Sequence, residues 1–371
     1  MPITEEWAYF DHAAVAPLSQ PAAEAVTRFA VQAAQQGDMV WPQWAAGVER
    51  LRGQFASLMD CESAEVCIVP NTTAGINLVA EGWPWAPGDS VVIPEGEFPS
   101  NLFPWKNQES KGVELRIVPR REGQVLVEDL MAQVDESTRI ISVSWVGYAS
   151  GYRIDLPRLV EEAHRRNVLV FLDAIQGLGM YELNLKQTPV DFLAADGHKW
   201  LLGPEGAGVA MVSGRHLDRL RCGNVGWGSV KNSFDYANPS FELRPEAARF
   251  EAGSANMVGV AALSASVGLF LEIRRECGEH AIADRVIDLA EDLNERLMNV
   301  GAVTRMPSSR DHRSGILTFE IPGHAPAEIR KRAIQQKVVL SVRDGGVRAA
   351  IHAYNDESDL ERLVDVVKSL H

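Results

Sequence analysis

The chain has 371 residues, 46% of them hydrophobic and 23% charged, which is the balance of a soluble globular protein. That length holds two domains, or one large domain with a smaller one appended. A formal net charge of -14 argues against a nucleic-acid or anionic-membrane surface, while leaving room for a local positive pocket.

The start, "MPITEEWAYFDHAAVAPL", has neither a basic n-region nor a long apolar core, so no signal peptide is expected. Residues 1–16 are expected to pack near the functional site. The four cysteines, Cys61, Cys67, Cys222 and Cys277, show no CxxC pairing and no zinc spacing. They read as reduced thiols of a cytoplasmic protein, with no metal site. The most apolar long window, Met257 to Ile273, is short, carries two serines and a glutamate, and reads as a buried helix.

From about residue 60 to 215, β-rich runs alternate with helical stretches. "EVCIVPN", "DSVVIPE", "VELRIVPR", "TRIISVSWV", "VLVFLDAI" and "GAGVAMV" are apolar with little alternation, as strands covered on both faces should be. Between them, "DLPRLVEEAHRRN" reads as an amphipathic helix capped by Asp155 and closed at Asn167. This alternation predicts a mostly parallel sheet with helices on both sides and ligands at the carboxyl ends of its strands. After Glu251-Ala252-Gly253 a long helical region runs to about Val300. A shorter strand-helix set follows: "GILTFEIP", "PAEIRKRAIQQK", "VVLSVR", "VRAAIHAY" and "SDLERLVDVVKSL". The reading is a large α/β domain over 17–255 and a small α+β domain over 256–371.

Asp173 ends the apolar run "VLVFLD". Such an aspartate reads either as a helix cap or as a carboxylate delivered to the ligand edge of the sheet. Lys199 follows 26 residues later, after one more strand-like run, "VDFLAAD". Two opposite charges at neighbouring strand ends in apolar flanks are costly unless paired or used. One chemistry uses them separately: a lysine condensed with an aldehyde cofactor, and a carboxylate that keeps a pyridine nitrogen protonated so that the ring withdraws electrons. That is the arrangement of pyridoxal 5'-phosphate (PLP). A phosphate needs a cradle, and Thr72 and Thr73 in "IVPNTTAGINLVAEG" open a helix, where they serve equally as caps or as anion donors. "GPEGAG" at 203–208 is neither a P-loop nor a dinucleotide fingerprint, and reads as a turn passing close to the site. Phe98, just beyond the strand "VVIP", is placed either in the core or over a flat ring.

With these residues in view, the chain resembles the class V aminotransferases, fold-type I PLP enzymes, in the branch holding cysteine desulfurases and isopenicillin N epimerase. Five segments carry the likeness in the family's order: "YFDHAAVAPLS", "NTTAGIN", "LDAIQGLG", "DGHKWLLGPEGAG" and "FEAGSAN". The resemblance implies that Lys199 forms the Schiff base with PLP and that Asp173 faces the pyridine nitrogen. Gln176 would bond the ring hydroxyl, Thr72, Thr73 and His198 the phosphate, and Phe98 would stack on the ring. Ser254 would reach the phosphate of a neighbouring subunit, which implies a homodimer with shared sites. In "VVLSVRDGGVRAAIHAYN", Arg348 is the position for a bidentate grip on an α-carboxylate, with Arg343 either supporting it or lying on the surface. Tyr148 stands on the substrate side.

Two departures stand out. Between Arg343 and Arg348 the chain has only Asp344-Gly345-Gly346-Val347, where the related desulfurases carry a loop with a nucleophilic cysteine. Asp196 replaces a common serine or threonine, and an ionised carboxylate cannot donate to a phosphate. The expected chemistry starts with removal of an amino acid's Cα proton by Lys199. Transamination, epimerisation and loss of a β-substituent, as from cysteine or another sulfur amino acid, all remain open.

Overall fold

The computed structural model describes residues 1–370. In chain order they form β1 (Ala8–Tyr9), α1 (Gln20–Gln36), α2 (Trp41–Met59), β2 (Val66–Val69), α3 (Thr72–Gly82), β3 (Ser90–Pro94), α4 (Phe103–Asn107), β4 (Glu114–Val118), α5 (Val127–Ala132) and β5 (Thr138–Ser144). Next come α6 (Leu156–Arg165), β6 (Leu169–Asp173), β7 (Phe192–Asp196), β8 (Gly208–Val212), α7 (Met257–Cys277) and α8 (Ala281–Asn299). The chain ends with β9 (Val303–Thr304), β10 (Ile316–Glu320), α9 (Pro326–Gln335), β11 (Val338–Val339), β12 (Ser341–Arg343), β13 (Gly346–Ala350) and α10 (Glu357–Lys368).

The large sheet has seven strands in the order β2-β8-β7-β6-β5-β3-β4. Only β8 runs against the rest, pairing antiparallel with both β2 and β7. The carboxyl ends of β2, β3, β5, β6 and β7 therefore open on one edge, the edge that the apolar runs predict for ligands. β3, β7 and β8 are buried along their whole length, which explains why these segments lack polar alternation. Local chemistry sets the helix ends. Asp155 accepts from Arg158 N at 3.1 Å to start α6, and Asn167 takes a left-handed φ of 58° just beyond it.

Helix α3 lies on β7 with Gly75 at the crossing, where an added Cβ would stand 2.6 Å from the Cβ of Ala194. Gly75→Ala is therefore expected to force α3 off the sheet, lowering stability in urea unfolding by about 1–3 kcal/mol. Unchanged stability would show that the helix can slide instead.

The long helical region after residue 256 breaks at Gly278, whose φ of 99° ends α7. α7 packs along α1 and α2, while α8 packs against α10 and the second sheet. α7 is long and apolar enough to cross a membrane by length and composition, with 44% of its most apolar window buried against the protein. The second sheet, β12-β13-β10-β9, is covered by α8, α9 and α10. "VVLSVR" splits at Leu340 into two short strands, because β11 leaves this sheet to pair with β1. The N-terminal segment is thus stitched to the far end of the chain.

Candidate active site

At the carboxyl edge of the large sheet lies a cavity of about 370 Å³. The lining includes Thr72, Thr73, Phe98, Tyr148, Asp173, Gln176, His198, Lys199, Arg343 and Arg348, so ten of the eleven sequence-derived site residues meet there. Ser254 does not. It is exposed, in a separate groove between the 251–256 loop and α3.

Asp173 and Lys199 come together because β6 and β7 are neighbours, with Asp173 level with Ala194 and Lys199 just past the end of β7. Lys199 is 8% exposed, and among the described residues its Nζ has no hydrogen-bond or ion-pair partner. The ring of Phe98 lies 5.6 Å from it, and Phe98 in turn meets Tyr148 edge-on at 5.3 Å. Burial pushes the Lys199 amine down to about 8, against the opposing pull of Asp173, while Arg348 adds to the lowering. Asp173 accepts one hydrogen bond, from Ile175 N at 3.1 Å. Burial pushes its carboxyl up to about 6, with that bond and the charge of Lys199 pulling the other way. Here are an amine and a carboxylate held dry and not spent on each other.

At one end of the cavity, α3 begins. Asn71 caps it by accepting from Ala74 N at 2.8 Å. The Thr72 hydroxyl oxygen accepts from Asp196 N at 3.0 Å, so its own hydrogen is left to donate, while Thr73 Oγ1 donates to Ser100 Oγ at 2.7 Å. The geometry accounts for Asp196. Its Oδ1 accepts from Gly197 N at 2.7 Å, and its Oδ2 stands 3.0 Å from His198 Nδ1, too oblique for a hydrogen bond. The carboxylate thus turns toward backbone and imidazole, leaving His198 Nε2 open. In the glycine-rich turn, Gly206 has a φ of 81° and Glu205 reaches the cavity mouth.

Gln176 is more occupied than its sequence motif implies. It donates to Ala13 O at 3.0 Å and accepts from Trp200 Nε1 at 2.7 Å, leaving one amide hydrogen. Arg348 is fully buried and already held: Nε donates to Ser341 Oγ at 3.0 Å, one Nη to Tyr148 O at 2.7 Å, and the other to Asp11 Oδ1 at 3.0 Å. Burial lowers its pKa and Asp11 opposes that. Arg343 bonds only the carbonyl of Val342 and has no carboxylate partner among the described residues.

Residues 1–16 were expected near the site, and Ala13, Ala14 and Val15 do line it, but sequence reasoning assigned no role to Asp11 or Trp200. "YFDHAAV" marked this segment by likeness only. No periodicity in it reveals that its aspartate meets an arginine 337 residues away.

A partnerless lysine and a separate carboxylate on the ligand edge of such a sheet, beside a helix N-terminus, define an enzyme of the fold-type I PLP class. Comparison with known proteins agrees: the model of the family "Aminotransferase class-V" matches residues 8–363. The chain belongs to this family of PLP-dependent enzymes. A probable cysteine desulfurase of Methanothermobacter thermautotrophicus is 28% identical over all of this chain and 96% of its own length. The cysteine desulfurase of Enterobacter sp. (strain 638) is 27% identical over 87% of this chain and 82% of its own. Among solved structures, the apo cysteine desulfurase of Thermococcus onnurineus NA1 covers 100% of this chain and 96% of its own, with a TM-score of 0.89 at 24% identity. The cystine C-S lyase C-DES, in complex with its product cysteine persulfide, covers 99% and 98%, with a TM-score of 0.92 at 21% identity. A lysine-to-alanine variant of C-DES carries glycine covalently linked to its PLP cofactor.

Proposed function

We propose that this protein is a PLP-dependent C–S lyase that cleaves a sulfur-bearing α-amino acid at Cβ. The observation that carries the reading is a cavity with the lysine and carboxylate of PLP chemistry and no cysteine in its wall. Between Arg343 and Arg348 the chain makes a tight hairpin through Asp344 and Gly345, with φ angles of 47° and 75°. Cys61, Cys67 and Cys222 lie elsewhere, with thiols pushed up by burial, and Cys277 ends α7. Sulfur therefore has no thiolate of this chain to land on in the cavity, and leaves with the product.

The residues present fit PLP. Lys199 is the amine for its aldehyde, Asp173 the carboxylate for its pyridine nitrogen, and Phe98 the ring for its face. Thr72, His198 and the backbone N–H groups at the N-terminus of α3, that of Thr73 among them, would be the donors for its phosphate, the Thr73 hydroxyl being spent on Ser100. The last amide hydrogen of Gln176 is the donor for its ring hydroxyl. When bound, the cofactor supplies the sink for the electron pair left at the substrate's Cα.

The chain's own residues do the rest. Arg348, Arg343 and Tyr148 receive the amino acid's α-carboxylate side. Lys199, neutral in part because it is dry, takes the Cα proton. Its ammonium form then hands a proton to the departing sulfur, so the Cβ–S bond breaks with the electron pair leaving on sulfur. Water completes the reaction to pyruvate and ammonia.

A homodimer forms part of this reading. Ser254 is exposed outside its own cavity, and nearby Trp227, Phe234, Tyr236 and Phe241 are exposed on one segment, as a surface covered by a second copy would be. None of the four cysteines is paired, in keeping with a reducing, cytoplasmic setting.

The test is product analysis with cysteine, cystine and S-substituted cysteines. Pyruvate and ammonia in equal amounts, with one sulfur product each, are expected without any added oxo-acid. Alanine with protein-bound sulfur would identify a desulfurase instead, and amino transfer that requires an oxo-acid would identify a transaminase. Either result overturns the lyase reading.

A further inference from the structure

Residues 11–16 form a strap across the cavity. On one side they are fixed to the last strand of the small sheet: Ala350 N donates to Phe10 O at 2.7 Å, and Asp11 bridges to Ala350. On the other side, Ala16 N donates to His198 O at 2.7 Å and Gln176 reaches Ala13 O. Between these anchors Ala13, Ala14 and Val15 make part of the cavity wall. Side chains hold the strap as well: buried His12 bonds Ala350 O at 2.8 Å and Tyr354 Oη at 2.6 Å, and the Tyr9 hydroxyl donates to Val15 O. Among the described residues, the strap's one charged tie to the cavity is the ion pair of Asp11 with Arg348 at 3.0 Å.

That pair is asymmetric. Arg348 is 1% exposed and has two further partners, Ser341 and Tyr148. The Asp11 side chain is 15% exposed, and among the described residues its carboxylate has no other partner. Asp11 is therefore the member free to turn out into water. A guanidinium has five N–H bonds, three are in use here, and two remain for a ligand. At Arg348 an incoming carboxylate meets a cation whose charge Asp11 already balances, while Arg343 in the same wall has no carboxylate partner among the described residues. Two anions on one buried cation oppose each other, more strongly in a dry site than in water.

We propose that Asp11 is a latch on Arg348, negatively coupled to the substrate's α-carboxylate: substrate binding loosens the 11–16 strap, and unlatching the strap tightens substrate binding. Asp11 acts through Arg348 and touches no reacting atom. The two effects are one coupling and must be equal, because linkage is reciprocal. The inference rests on the amino-acid reading above only for the identity of the anion.

The experiment is a hydrogen-exchange titration of the full-length protein with propionate, a carboxylate with neither amine nor thiol. Saturating propionate should speed exchange of the strap amides of Ala14, Val15 and Ala16 in the wild type. Asp11→Asn, which removes the charge but keeps an acceptor, should bind propionate about tenfold tighter and show the fast strap exchange without ligand. Asp11→Glu, which keeps the charge, should behave like the wild type. In the PLP-loaded enzyme the KM for the sulfur amino acid should fall with Asp11→Asn while kcat stays within about threefold.

Weaker or unchanged propionate binding by Asp11→Asn overturns the latch and leaves Asp11 a structural support. So does slower strap exchange when the wild type binds propionate. That wild-type arm decides the matter even if the variant does not fold. Failure of the wild type to take up PLP would refute the lyase reading, and the propionate measurement would still judge the latch.

Discussion

Lys199→Ala is expected to lower turnover by about ten-thousandfold and to leave nothing for borohydride to fix. With the amine pushed down to about 8, about a quarter of it is neutral at pH 7.5, against about one part in a thousand for an ordinary lysine. That shift comes from burial at the end of β7, where no described residue gives Nζ a partner. The group is thus ready to attack an aldehyde and then to take a proton. Alanine removes both roles and leaves the walls of the cavity in place. After borohydride treatment in the presence of PLP, mass spectrometry should find the cofactor's mass on the wild-type peptide containing residue 199 and on no peptide of the variant. A variant that keeps both the adduct and turnover would place the chemistry on another amine and sink the assignment.

The fold was largely legible because both-face burial leaves a plain sequence signature. β3, β6, β7 and β8 are apolar runs, and the caps Asp155 and Asn167 sit where the helix signals put them. The positions of Asp173 and Lys199 were legible in part for the same reason: one ends such a run and the other follows the next run closely, so the sheet's ligand edge was one of the places open to them. Other contacts had no local signature. Asp11 meets Arg348, and β1 pairs with β11, across nearly the whole chain. Asp196 was visible as a departure, but its turn toward His198 and Gly197 N depends on the backbone past β7. The partners of Gln176, Ala13 and Trp200, come from segments that only the folded chain brings together. Local rules and the family likeness pointed to these side chains, and long-range topology decided how each is held.

Asp173→Asn is expected to move activity and stability in opposite directions. The carboxyl is 2% exposed, and burial pushes it up to about 6, from an ordinary 3.8. The folded chain therefore holds this proton longer than the unfolded chain does. Between about pH 4 and 6 the folded state binds more protons than the unfolded one, so stability falls as pH rises through that window. Above pH 6 the full cost is present, about 3 kcal/mol for a shift of about two units. Asparagine carries no charge there, so the cofactor-free variant should be more stable than the wild type by up to about 3 kcal/mol at pH 7.5 in urea unfolding. The two proteins should converge near pH 4. Turnover should meanwhile drop by about a thousandfold, because a carboxamide cannot hold a proton on a pyridine nitrogen as a carboxylate does. A variant that is both less stable at pH 7.5 and nearly as active would show that Asp173 is a structural cap. A stabler and inactive one would show a charge kept dry, at a cost to the fold, for chemistry that needs it.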